Sequence, residues 1–284
     1  MQTLQFSVPI RAPREKVWHC LWNIHYYETW TAEFSEESTV QTDNWKEGTQ
    51  LYFHDGRGNG MVSRVSANRT NEFMSFTHLG MILDGVEDLS SEKVMVWAGA
   101  TESYQLSDAD DGTLLLVNQT VPEDYVEYFQ KTCALAHEKL KALAEGRVQP
   151  MIRIGAVIQA PIDKVWEAWT QPEHVKQWNH ASDDWHCPAA SNEFLTGGTF
   201  SFTMAAKDGS FSFDFGGVYT AIEPHKMIHV TLEDGRIWKT WFKEKNGTVE
   251  IIEKFEAEQM NPLELQQGGW QAILNNFKQY TEQL

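Results

Sequence analysis

A stretch of 21 residues occurs twice in this chain, and no other feature constrains the fold so tightly. Ile10–Trp30 lies over Ile158–Trp178 without a gap, at a shift of 148 residues. Seven positions are identical: Ile10/Ile158, Ala12/Ala160, Pro13/Pro161, Lys16/Lys164, Val17/Val165, Trp18/Trp166 and Trp30/Trp178. Rare residue types recurring at fixed offsets mark one structural unit used twice. A chain of 284 residues is also long for one domain. The expected division is a first domain over 1–146 and a second over 147–284.

Each copy begins as a strand followed by a helix. In Leu4-Gln5-Phe6-Ser7-Val8-Pro9-Ile10 apolar side chains alternate, which places one strand face on a core. Pro13 and Pro161 fit the first helical position, and Glu15 and Asp163 come two residues later, where a carboxylate favours a helix N-terminus. Val17, Trp18, Leu21 and Trp22 form one helical face, as do Val165, Trp166 and Trp169. Asp55-Gly56, Asn59-Gly60, Asp111-Gly112, Asp208-Gly209, Asp234-Gly235 and Asn246-Gly247 then punctuate alternating segments as hairpin turns. Phe200, Phe202 and Met204 share one strand face, and Phe211, Phe213 and Phe215 another, which makes an antiparallel meander. Val126, Phe129, Cys133, Ala136, Leu140 and Leu143 recur at steps of three and four, as do Trp270, Ile273, Phe277, Tyr280 and Leu284. Each half therefore closes with a long amphipathic helix, the first ended by Gly146.

Composition excludes several functions. A formal net charge of −17 repels phosphate backbones and anionic lipid heads, so neither nucleic acid nor a membrane is an expected partner. Three scattered cysteines, Cys20, Cys133 and Cys187, offer neither a disulfide framework nor a zinc ribbon. The N-terminal residues show no secretory pattern, and no apolar run approaches a membrane span. A cytoplasmic location is the expectation.

Strand, helix pair, six-stranded meander and long C-terminal helix is an order that resembles the START-like (SRPBCC) superfamily. In the second half Ala160-Pro161 with Val165-Trp166, Trp178, Gly197-Gly198-Thr199-Phe200, Gly217-Val218-Tyr219 with Glu223-Pro224, and Gly269-Trp270 resemble the family named for activation of the heat shock protein 90 ATPase. In the first half Gly58-Asn59-Gly60-Met61, Phe76-Thr77-His78-Leu79-Gly80, and Trp97-Ala98-Gly99-Ala100 with Glu102 and Tyr104 resemble a related branch. The resemblance implies an α+β helix-grip fold, present twice in tandem: a curved antiparallel sheet wrapped around a long C-terminal helix. It also implies an apolar ligand held between sheet and helix. A curved sheet cannot follow a straight helix along its whole length, so a cavity opens unless large side chains fill it.

The aromatic strands and helices supply candidate linings. They are Tyr52, Phe76, His78, Trp97, Tyr104 and Phe129 in the first half, and Phe202, Phe213, Trp238, Trp241, Trp270 and Phe277 in the second. Plain core packing is the competing explanation for each. The polar run from Asn179 to Cys187 carries imidazole, carboxylate and thiol groups, yet lacks paired metal-ligand spacing and reads as a solvated loop. No metal, cofactor or catalytic residue is expected. Glu102 and Tyr104 share a strand face, and His78 and His229 lie within strands, so a buried acid–base pair is an open alternative. The leading expectation is a non-catalytic module binding an apolar small molecule. A chaperone-assisting protein contact, and a cyclase- or hydrolase-like enzyme acting on a hydrophobic substrate, are its rivals.

Overall fold

The computed structural model describes residues 1–284, and the chain divides into two compact units, Met1–Pro150 and Met151–Leu284. In the first, the elements run β1 (Gln2–Ile10), α1 (Arg14–Trp22), α2 (Ile24–Trp30), β2 (Thr39–Gln41), β3 (Gln50–His54), β4 (Gly60–Arg69), β5 (Phe73–Leu83), β6 (Val86–Asp88), α3 (Glu92–Met95), β7 (Thr101–Ala109), β8 (Gly112–Val121) and α4 (Val126–Ala144). A 3-10 turn at Thr31–Glu33 comes directly after α2. The sheet order is β1-β8-β7-β5-β4-β3-β2, with β6 paired to β5, and every pairing is antiparallel.

The second unit repeats the scheme with β9 (Met151–Ile158), α5 (Ile162–Thr170), α6 (Pro172–Trp178), β10 (Trp185–Asn192), β11 (Thr199–Ala206), β12 (Ser212–Glu223), β13 (Met227–Leu232), β14 (Ile237–Lys245), β15 (Thr248–Glu256) and α7 (Leu263–Gln283). Its sheet order is β10-β11-β12-β13-β14-β15-β9. In both units the first strand therefore closes against the last, and the curled sheet presents one face to the C-terminal helix. No helix is long and apolar enough to cross a membrane.

Alternation and core agree along the sheets. On β8, Thr113, Leu115, Val117, Gln119 and Val121 are buried, one side of a period-two strand. On α4, Cys133, Ala136, Leu140 and Leu143 are buried, the stripe that a 3.6-residue period turns towards the sheet. Gly146, at φ +72°, ends that helix: its N–H donates to the Leu143 carbonyl, and Arg147 N–H donates to that of Ala142. That pair of bonds needs a left-handed residue, which glycine adopts without strain.

Two local details differ from expectation. Pro13 and Pro161 are the caps and not the first helical residues, because their ψ of 154° and 153° is extended. Their carbonyls accept the first helical bonds, from Val17 N–H and Val165 N–H. Gly60, read as a turn residue, begins β4 opposite His54, and a Cβ there would meet the Phe53 carbonyl oxygen at 2.0 Å. Close strand approach requires the missing side chain. G60A is expected to destabilise the first domain by about 1–3 kcal/mol, read as a lower urea midpoint at unchanged slope.

Candidate functional site

Between the sheet and the helices of the first domain lies a cavity of about 370 Å³. The sheet contributes Phe53, Phe76, Glu102, Tyr104 and Gln119, helices α1 and α2 contribute Trp22, Tyr27 and Trp30, and the start of α4 contributes Tyr128 and Phe129. The rings brace one another: Trp22 packs edge-on against Tyr104 at 5.0 Å and against Phe76 at 5.4 Å, and Tyr27 against Trp30 at 5.3 Å. Such contacts fix ring orientation beyond what area burial alone supplies. His54, Asp55 and Arg57 stand at the rim. The indole N–H groups of Trp22 and Trp30 are buried without a hydrogen-bond partner.

One carboxylate interrupts this apolar wall. Glu102 pairs across the sheet with Phe76 on one side and Gln119 on the other. The Tyr104 hydroxyl donates to one of its oxygens, and Nε2 of His78 lies 3.6 Å from the other. His78 Nδ1 is in turn 2.8 Å from Ser63 Oγ. Burial works to raise the Glu102 carboxyl, but the hydrogen bond and charge of His78, with the Tyr104 hydroxyl, hold it below its ordinary range. Burial and the Glu102 charge together push the Tyr104 phenol far up, so it stays a donor. Burial lowers His137 on α4 to about 4, leaving it neutral at pH 7.

Serine, histidine and carboxylate in line suggest a nucleophilic triad, but the geometry serves another purpose. Ser63 is 0% exposed, and neither it nor His78 lines the cavity. A nucleophile must reach the reacting atom. Here the serine hydroxyl orients the imidazole from behind, and the imidazole supports the carboxylate.

The second domain holds a smaller cavity of about 150 Å³, walled by Trp169, Trp178, Phe202, Phe213, Trp238 and Trp270 among others. Trp270 of α7 stacks on Phe255 of β15, with centroids 3.9 Å apart and planes 12° off parallel. Glu253 also borders this cavity and accepts a 2.7 Å hydrogen bond from Trp238 Nε1. Burial raises its carboxyl to about 8, with the Trp238 bond opposing. It is neutral at pH 7, unlike Glu102, because burial outweighs the indole bond.

The structure brings Phe76, Tyr104 and Phe129 into the first cavity wall, with His78 directly behind Glu102. It leaves out Tyr52, which stacks on His54 and accepts from Gln50 Nε2, while its neighbour Phe53 supplies the wall. Trp97 comes after α3, in an insertion that carries it away from the cavity. In the second domain Phe202, Phe213, Trp238 and Trp270 line the cavity. Trp241 points to the other sheet face, against His229, because Trp238, Thr240 and Phe242 hold the inward parity. Phe277 is core, 0% exposed. Sequence reasoning missed Trp30 and Gln119 in the first cavity and Glu253 in the second. Glu253 was visible in principle, since Val249, Ile251 and Phe255 share its parity. The Asn179–Cys187 run disperses its polar groups: His180 engages Asn276, Ser182 donates to Asp184, and Cys187 is buried.

Two antiparallel sheets, each packed against its own C-terminal helix, define a tandem helix-grip fold of the α+β class. The family model described as Activator of Hsp90 ATPase homolog 1-like protein matches residues 159–282. The solution structure of an AHSA1-like protein from Aeromonas hydrophila is 41% identical, covering 47% of this chain and 92% of that one at a TM-score of 0.45. A Cytophaga hutchinsonii protein is 51% identical over 46% of this chain and 92% of its own, with a TM-score of 0.42. The di-domain ARO/CYC StfQ from the steffimycin biosynthetic pathway is 11% identical, covering 99% of this chain and 98% of its own at a TM-score of 0.43. No curated protein matches. Through residues 159–282 the chain belongs to the Activator of Hsp90 ATPase homolog 1-like family.

Proposed function

We propose that the first domain is a non-catalytic receptor for a small molecule with an apolar body. The observation that carries this reading is the aromatic-walled cavity of about 370 Å³, a size in the range of small-molecule sites, where few polar groups fix orientation. The second cavity, at about 150 Å³, falls below that range and supports a packing role. Proton chemistry is poorly served by the first site. A carboxylate held below its ordinary range is a weak base, and a phenol pushed far up is a weak acid.

Titration of the full chain with the uncharged dye N-phenyl-1-naphthylamine tests the reading. The expected result is saturable dye enhancement with tryptophan quenching at one site per chain, since Trp22 and Trp30 are in the wall. A response that never saturates sinks it. The family match over residues 159–282 favours a second reading, in which the second domain contacts a chaperone of the Hsp90 class. An unchanged chaperone ATPase rate on adding the full chain would dispose of that one.

A further inference from the structure

One internal group of the first cavity is not accounted for by a purely apolar ligand: the carboxylate in its wall. Burying a charge beside aromatic rings is costly unless it is matched. Its partners stand in or behind the wall: Tyr104 donates from two residues along the same strand, and His78 approaches from outside the cavity lining. No lysine or arginine from the interior faces it. At the rim, Arg57 and Asp55 carry opposite charges and offset each other. His137 is neutral at pH 7. Of these groups only Glu102 places its charge on the inner wall, with the imidazole of His78 behind it and outside the lining.

The surroundings of that carboxylate are rings. Phe76 is its direct cross-strand neighbour, and Trp22, Tyr27, Trp30 and Tyr104 line the same cavity. Aromatic faces carry negative quadrupole potential and attract a cation within about 6 Å of a ring centroid, the more so when it is desolvated. Rings and carboxylate thus act with the same sign. The chain's net charge of −17 adds long-range attraction for positive ligands.

We propose that the first cavity is a site for an organic cation, an amine or quaternary ammonium on an apolar body, with the charged nitrogen seated at Glu102 among the aromatic rings. This rests on the cavity being a ligand site, and the test separates the two claims. Isothermal titration of the full chain compares phenyltrimethylammonium with tert-butylbenzene, its uncharged carbon isostere. The expected result is at least about tenfold tighter binding of the cation, a preference that shrinks below about threefold in E102Q. Glutamine preserves volume and an acceptor for the Tyr104 hydroxyl while removing the charge. Equal or tighter binding of tert-butylbenzene to the parent protein overturns the cation assignment and keeps the cavity as an apolar site. Binding of neither probe overturns both. The comparison on the parent protein stands whether or not E102Q folds.

Discussion

E253Q is expected to unfold at higher urea concentration than the parent protein at pH 9, and at nearly the same concentration at pH 4. The cause is the environment of one carboxyl on β15. Glu253 is 3% exposed, and the Trp238 indole donates to it. Burial lifts its pKa from 4.5 to about 8. Between those values the unfolded chain has released the proton and the folded chain retains it, so stability falls as pH rises. The contribution is fully present below about pH 4.5 and lost by about pH 8. At about 1.4 kcal/mol per pH unit, the loss is on the order of 5 kcal/mol. Glutamine has the shape of the neutral acid and no proton to lose, so this loss is absent from its profile. Equal urea midpoints for the parent and E253Q at pH 9 would show that the carboxyl is ionised in place.

Glu102 behaves oppositely, although both carboxylates border cavities in the same fold. In the first domain the registers place a histidine and a phenol on Glu102, so the charged form is the matched one. In the second, Thr240 is the cross-strand neighbour of Glu253, and the indole N–H alone does not hold a charge. Pocket chemistry thus diverged through neighbours on adjacent strands while the backbone scheme was kept.

That difference marks where the sequence stops being legible. The repeat located both helix pairs: α1 and α5 begin and end at matching positions of the two copies, as do α2 and α6. Hairpin turns were likewise readable, since Asn246 and Gly247 both take positive φ as such dipeptides do. Wall membership was harder, because it depends on strand parity and parity is reset by bulges. The β4–β5 ladder shifts between Val62 and Ser63, and both residues are buried at 0%, which no alternating pattern anticipates. Trp97 was displaced for a different reason: it lies in the turn between α3 and β7 and has no strand parity at all. Trp22, Tyr27 and Trp30 lie on helices, and only tertiary packing turns them towards the cavity. Glu102 and Tyr104 were legible as a pair on one face; their charge state needed His78 and Ser63 from two other strands.

Phe277 separates core from cavity lining most sharply, and F277A is expected to cost about 3–5 kcal/mol. Its ring is 0% exposed and meets Trp169 at 4.8 Å and Trp178 at 5.0 Å, both edge-on at 78°. Those two indoles also wall the second cavity, so removing the ring extends a void of about 150 Å³. An enlarged apolar void stays dry and accepts small hydrocarbons, and a ligand that binds only the folded state restores stability by mass action. Benzene is therefore expected to raise the melting temperature of F277A by more than it raises that of the parent. Phe213 supplies the control, being 44% exposed at the outer wall beside Trp185; F213A is expected to cost about 1 kcal/mol or less. If F277A were as mild as F213A, Phe277 would be a removable plug instead of core, and the second cavity would be a ligand site with its largest occupant supplied by the chain itself.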